Sequence, residues 1–173
     1  TWQMTHDYPG ACFAMMVLHP CSVEADYQEH MKAVEQELRS DKPVCAVGET
    51  GLDFYWDDSH SDAQREAFRQ HLRWAKELKL PVVIHVRNSF DAVYEMLKEE
   101  NTPDLTGILH CFTGDRDQAQ QILDLGGFYL GIGGIVTFKN AGLDKVVAQL
   151  PLDSLVLETD SPYLAPHPYR GKR

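Results

Sequence analysis

A chain of 173 residues with 43% hydrophobic and 24% charged side chains can bury one core, which predicts a single domain over residues 1–173. Its formal net charge of -10 excludes sequence-independent coating of nucleic acid through a basic surface, although cations in a carboxylate-rich pocket can still present positive charge to a phosphate. No stretch reaches the roughly 20 apolar residues of a membrane helix, and the N-terminal TWQMTHDYPGACF lacks the charged and apolar regions of a secretory signal.

The chain opens in the tail of a helical pattern. Six apolar runs of strand length follow, at 13–18, 44–47, 81–86, 107–112, 128–132 and 155–157. Each is nearly continuously apolar rather than alternating, the pattern of a parallel strand covered on both faces. Between the runs, apolar residues recur at helical spacing. Val23, Tyr27, Met31, Val34 and Leu38 follow a Ser22 cap; Phe68, Leu72, Ala75 and Leu78 follow Ser61, with Gln64 completing a capping box. Phe90, Val93 and Leu97 form a third stripe. Ala119, Ile122 and Leu125 form a fourth, stopped by Gly126-Gly127, and Leu143, Val146 and Leu150 a fifth, stopped by Pro151. Strand starts recur every roughly 20 to 40 residues, the size of a strand–helix unit. The expectation is a parallel sheet, either open or closed into a barrel.

The residues that end the strands decide between the two. His19, Glu49, His85, His110 and Asp160 stand at or just past the C-terminal ends of five different runs. That is the layout of a barrel whose functional groups converge on one face. An open sheet would gather its ligand contacts at one switch point behind a glycine-rich phosphate loop, and neither G-x-G-x-x-G nor G-x-x-x-x-G-K-[ST] occurs. The predicted fold is therefore α/β, of the (β/α)8 TIM-barrel type, present as an incomplete barrel of about six parallel strands.

Singly, each of these residues has a plainer reading. His85 and His110 could be satisfied core histidines, Glu49 a cap, and Asp160 a turn residue before Pro162. Jointly they are harder to dismiss, because carboxylates and imidazoles buried in apolar strands are costly unless paired or bound to metal. Four such positions at equivalent strand ends predict one shared cation site, and carboxylate with imidazole suits Zn, Mn or Fe better than Ca²⁺. Cys12, Cys21, Cys45 and Cys111 show no C-x-x-C spacing and read as reduced thiols of a cytoplasmic protein.

The segments VGETGLDFYW, PVVIHVRNSFD, GILHCFTG and LVLETDSPYLAPHPYRGKR resemble, in order, the signatures of the TatD family of metal-dependent deoxyribonucleases. MMVLHP resembles that family's strand ending in Leu-His-Pro, with Val17 where a Gly is common. The resemblance runs over nearly the whole chain. It implies a barrel in which Glu49 bridges two divalent metal ions (Mg, Mn or Zn), His85 and His110 hold one of them, and Asp160 serves the other. It also implies hydrolysis of DNA phosphodiester bonds, in several members as an exonuclease, with Asp160 and Glu49 as the catalytic residues and Asp160 orienting or deprotonating the attacking water. DNA is then the partner, with no membrane and no obligate protein partner.

The family begins with a strand ending in His-x-His that completes the second metal site, and no His-x-His occurs in this sequence. The resemblance thus implies a fragment, with the first two strand–helix units and a closing helix outside it. One metal would keep Glu49, His85 and His110, the other only Asp160 and a share of Glu49. Such a form is expected to bind at most one ion well and to hydrolyse DNA poorly.

Around this set, Arg87 is expected to face the same side as His85 and to hold a substrate phosphate, or else to pair at the barrel rim. His19 is expected either to touch substrate or metal-bound water, or to serve packing. Asp53 and Thr113 read as turn formers. Phe54, Tyr55 and Trp56 read as rim packing or as a surface for an unpaired base. Tyr169-Arg170-Gly171-Lys172-Arg173 reads as a solvated tail or as a segment near DNA. Two alternatives stay open: a related barrel hydrolase acting on an amide or ester bond, since fold does not fix substrate, and an inactive fragment.

Overall fold

The computed structural model describes residues 2–55 and 59–171, and the chain divides into two compact units, Thr1–Thr106 and Gly107–Arg173. In the first unit, α1 (Trp2–Asp7), β1 (Ala14–Met16), α2 (Tyr27–Leu38), β2 (Val44–Asp53), α3 (Ser61–Leu78), β3 (Val82–Arg87) and α4 (Phe90–Glu100) follow one another. β2 pairs in parallel with β1 and with β3. The second unit carries β4 (Gly107–Leu109), α5 (Arg116–Asp124), β5 (Phe128–Ile132), α6 (Leu143–Val147) and β6 (Leu155–Leu157), with β5 parallel to both β4 and β6. Consecutive parallel strands joined through helices make this an α/β fold of the (β/α)8-barrel type, with six parallel strands among the described residues.

The cores follow from the apolar stripes. In the first unit Val47, Leu52, Val82 and Ile84 of the strands are fully buried together with Phe68, Leu72 and Ala75 of α3 and Val93 and Leu97 of α4. In the second unit Leu109 and Leu130 are buried with Ala119 and Ile122 of α5. A helix that presents one such stripe must bury it against a sheet, which fixes α3 on β2 and α5 on β5. No helix among the described residues is long and apolar enough to cross a membrane.

Several boundaries differ from the sequence expectation for local reasons. β1 stops at Met16, short of the predicted run to 18, and β2 runs on to Asp53 through the GETGLD segment. Ser22 does not cap α2. Residues Pro20–Ser22 form a 3-10 turn in which His19 Nδ1 accepts the Cys21 N–H at 3.2 Å, and α2 begins only at Tyr27. Gln64 closes no capping box, because its amide is taken by the N–H and C=O of Asp53 at 2.9 and 3.2 Å. A capping box forms instead at α5, between Asp115 and Gln118.

Candidate metal centre

Glu49 owes its direction to the backbone around it. The β2–β3 register passes from Gly48↔Val83 to Thr50↔Ile84, so Glu49 is the extra residue of a β-bulge. Bulges re-aim a side chain beside functional sites. Gly51 has a φ of +136°, and a Cβ on it would run into the carbonyl of His85. A Cβ on Gly48 would likewise overlap Val83. The two strands come too near each other here for a larger residue, which is why the segment reads G-E-T-G.

The bulge delivers Glu49 to His85. Nδ1 of His85 lies 2.9 Å from Glu49 Oε1, and its Nε2 lies 2.9 Å from Asp53 Oδ2. Burial alone would depress the His85 imidazole, but hydrogen bonds and charge from Glu49 and Asp53 hold it above its ordinary value. Asp53 is 3% exposed. Burial alone would raise its carboxyl, yet the Tyr55 N–H, His85 and the Cys21 thiol together keep it below its usual range. The bond from Tyr55 N–H, at 3.0 Å, is the turn-forming role expected of Asp53. Its grip on His85 is a second role that sequence reasoning missed. The signal was present in the parallel pairing of GETGLD with VIHVR, which sets Asp53 opposite Arg87, two residues from His85.

His19 stands beside this pair. Its Nε2 is 3.8 Å from Glu49 Oε1, and its ring meets that of His85 edge-on, with centroids 4.8 Å apart. His19, Glu49 and His85 offer ligand atoms within 4.8 Å of one another, a spacing that one cation can span. The hydrogen bonding separates their roles. Because His19 Nδ1 accepts the Cys21 N–H, a neutral ring carries its proton on Nε2, facing Glu49. Electron pairs for a cation come from Glu49 and His85, and His19 contributes a hydrogen donor next to them. Arg87, also on β3, lies over the Tyr55 ring at 3.9 Å, and Arg65 lies over Phe54 at 5.6 Å. Trp56 is outside the described residues.

The second unit repeats the device. His110 Nδ1 is 2.7 Å from Glu158 Oε2, and its Nε2 is 2.8 Å from Asp160 Oδ1. Glu158 Oε1 also accepts the N–H of Cys111. A Cβ on Gly131 would collide with the Glu158 carboxylate, so β5 makes room for it. Sequence reasoning missed Glu158 as well, although it stands two residues before Asp160 in ETD. The backbone of Asp160 serves as the expected turn, accepting from Tyr163 N–H at 2.8 Å. In the tail, Arg170 lies over the Phe138 ring at 4.3 Å, while Lys172 and Arg173 fall outside the described residues.

Each imidazole is therefore held between two carboxylates of its own unit. A ring that donates one N–H to a carboxylate has its tautomer and orientation fixed, with the other nitrogen left for a metal beside a second carboxylate. Asp53 and Glu158 suit the orienting role, Glu49 and Asp160 the ligand role. This donor set fits a divalent cation. The structure joins Glu49 to His85 and His110 to Asp160.

Comparison with known proteins places the chain among metal-dependent hydrolases. The signature of a family described as TatD related DNase matches residues 1–173. A Bacillus subtilis (strain 168) protein described as the uncharacterized metal-dependent hydrolase YabD is 45% identical over 162 residues, covering 93% of this chain and 63% of that protein. The Escherichia coli (strain K12) metal-dependent hydrolase YcfH is 44% identical, over 90% of this chain and 60% of its own. The crystal structure of YjjV, a TatD homolog from Escherichia coli K12, superposes with a TM-score of 0.88 at 33% identity, over 98% of this chain and 65% of that one. The chain thus spans about six-tenths of the length of the curated relatives it matches. With the signature matched from end to end, the chain belongs to the TatD related DNase family of metal-dependent hydrolases.

Proposed function

We propose that the protein of which this chain is part cleaves DNA phosphodiester bonds, as an exonuclease, with divalent ions held by Glu49, His85, His110 and Asp160. The observation that carries the reading is the pair of imidazoles each seated between two carboxylates. The family's description as DNase supports the substrate. Two ions, Mg, Mn or Zn, are assigned: one to Glu49, His85 and His110, the other to Asp160 with a share of Glu49. A divalent cation there would supply Lewis-acid stabilisation of the phosphate oxygens.

The protein's own groups do the rest. Asp53 and Glu158 lock the tautomers of His85 and His110. Asp160 accepts the proton of the attacking water, the role of a carboxylate poised at the site. His19 donates from Nε2 to a substrate oxygen, and Arg87, braced on Tyr55, holds a neighbouring phosphate. DNA is the partner. With a net charge of -10, binding rests on these few groups rather than on a basic surface. No membrane and no obligate protein partner enter this reading, and the four free cysteines suit the cytoplasm.

The test counts bound Mg²⁺, Mn²⁺ or Zn²⁺ by native mass spectrometry and follows nucleotide release from single- and double-stranded DNA. It uses this chain and a form extended by the family's His-x-His segment. Expected are one ion and slow release from the former, two ions and far faster release from the latter, and loss of that release on Asp160→Ala. Hydrolysis of a carboxylic ester or amide with DNA left intact would reassign the site to the related amide and ester hydrolases.

A further inference from the structure

We propose that His71 is a positioning residue that fixes His19 and Glu49 by fastening the backbone or side chain of the residue next to each. The inference rests on the cation-site reading above and concerns a side chain that this reading does not use.

His71 lies on the buried stripe of α3, the helix that packs on β2, and is fully buried. Its Nε2 accepts the N–H of Leu18 at 3.3 Å, and its Nδ1 meets Thr50 Oγ1 at 2.9 Å. A neutral ring that accepts at Nε2 carries its proton on Nδ1 and donates it to Thr50. Burial drives the imidazole down to about 3, so the ring stays neutral and keeps this tautomer near neutral pH. Trp74 packs edge-on against it at 5.5 Å between centroids.

One anchor point lies beyond the sheet pairing, and the other directly follows a break in it. The β1–β2 ladder ends at Met16↔Val47, so Leu18 is beyond it, and His19 comes next. In β2 the register slips between Gly48 and Thr50, with Glu49 as the extra residue and Thr50 immediately after it. A bulge aims its extra residue but leaves that residue unpaired in the ladder, so a contact on the next residue helps to hold the aim. One neutral imidazole supplies them at both places, and the side chains so placed face each other at 3.8 Å. A histidine that merely filled the core would be satisfied by any two buried partners. These two are the neighbours of two site residues, one past the end of β1 and one within β2.

The test uses this chain with His71→Phe, His71→Gln and Thr50→Val. Amide exchange at Leu18 is followed by NMR, and Mn²⁺ affinity by calorimetry. The Phe variant fills the space without hydrogen bonds; with its fold intact by circular dichroism, it should exchange Leu18 and lose Mn²⁺ affinity by about tenfold or more. Gln can accept from Leu18 and donate to Thr50, and should restore both to within about threefold. Thr50→Val, which leaves the Leu18 bond in place, should weaken Mn²⁺ binding while Leu18 stays protected. It carries the comparison if the Phe variant does not fold. Leu18 protection or Mn²⁺ affinity unchanged in a folded Phe variant overturns the proposal, as does a Thr50→Val protein that binds Mn²⁺ like the wild type. A wild-type chain that takes up no Mn²⁺ overturns the cation reading instead, and Leu18 exchange in the Phe and Gln variants then decides the role of His71 alone.

Discussion

Glu158 holds His110 from Nδ1 while Asp160 meets the same ring at Nε2, at 2.7 and 2.8 Å. The two carboxylates are two residues apart in ETD, yet their tasks differ. Glu158 also takes the Cys111 N–H and is walled by Gly131, so it is fixed to protein on both oxygens. Glu158→Gln should leave the fold intact and weaken divalent-ion binding and any dependent hydrolysis by about 10- to 100-fold, the usual effect of losing an orienting carboxylate behind a ligating histidine. Calorimetry with Mn²⁺ on the variant reads this out. Wild-type affinity in the variant would remove Glu158 from the site.

Asp53 gives a second handle, through the thiol it holds. Burial, then the hydrogen bond and charge of Asp53, push the Cys21 thiol up to about 11. At pH 8 its thiolate is scarce, so alkylation at Cys21 should be slow although the residue is exposed. Asp53→Asn removes the charge and leaves burial, with at most a weaker, neutral hydrogen bond to the thiol, so the pKa should fall part of the way and alkylation at pH 8 should accelerate. Peptide mapping after maleimide treatment separates Cys21 from Cys45, which is also exposed. Equal rates at Cys21 in the two proteins would show that the Asp53 contact is not formed in solution.

His71 makes acid stability measurable at one position. Its folded pKa, about 3, lies below the ordinary histidine value of 6.5, so the unfolded chain binds the proton that the folded chain refuses. Stability from this group is complete above pH 6.5 and is lost as pH falls toward the folded value, by about 1.4 kcal/mol per pH unit inside the window. His85 runs the other way: its raised pKa gives stability that is complete below the unfolded value and lost as pH rises through the folded one. Comparing wild type with His71→Gln cancels the His85 effect. The variant should start less stable at pH 8 and lose less between pH 6.5 and 4.5. Urea unfolding at several pH values gives the two slopes, and parallel slopes would mean that His71 is not buried neutral.

The parts of this arrangement legible in the sequence are those written into continuous apolar runs. VVIHV places His85 within a strand and GILHCF places His110 directly after one, and the strand–helix repeat gives the barrel-type fold. Asp53 and Glu158 were illegible for a physical reason: each sits in a turn-forming context, LDFYW or ETDSP, and only pairing in space reveals the imidazole it holds. His71 shares a stripe with Phe68, Leu72 and Ala75 and reads as one more core position until its partners are known. The capping box expected at Gln64 failed because the same amide satisfies the end of β2 instead. Local signals name donors and acceptors; tertiary structure chooses among them.

The glycines of GETG offer the most direct test of how β2 and β3 are fitted together. Gly51 combines a φ of +136° with a backbone approach that leaves no room for a Cβ, since the His85 carbonyl stands in its place. Gly51→Ala must therefore bear backbone strain and steric overlap together, about 3–5 kcal/mol in sum. For a chain of this size that is a fall in Tm on the order of 10 °C. Gly126 makes a matched control: its φ is +75°, but nothing lies within 4 Å of an added Cβ. Gly126→Ala should cost only the left-handed strain, about 1–2 kcal/mol, partly offset by a stiffer unfolded chain. The sharper difference is functional. Relieving the overlap at residue 51 requires β2 to move away from His85, which separates Glu49 and Asp53 from the imidazole between them. Gly51→Ala should thus lose divalent-ion affinity even at temperatures where it remains folded, whereas Gly126→Ala should bind as the wild type does. Calorimetric titration with Mn²⁺ well below both Tm values makes the comparison. If both variants bind alike, the close approach at Gly51 does not position the metal ligands.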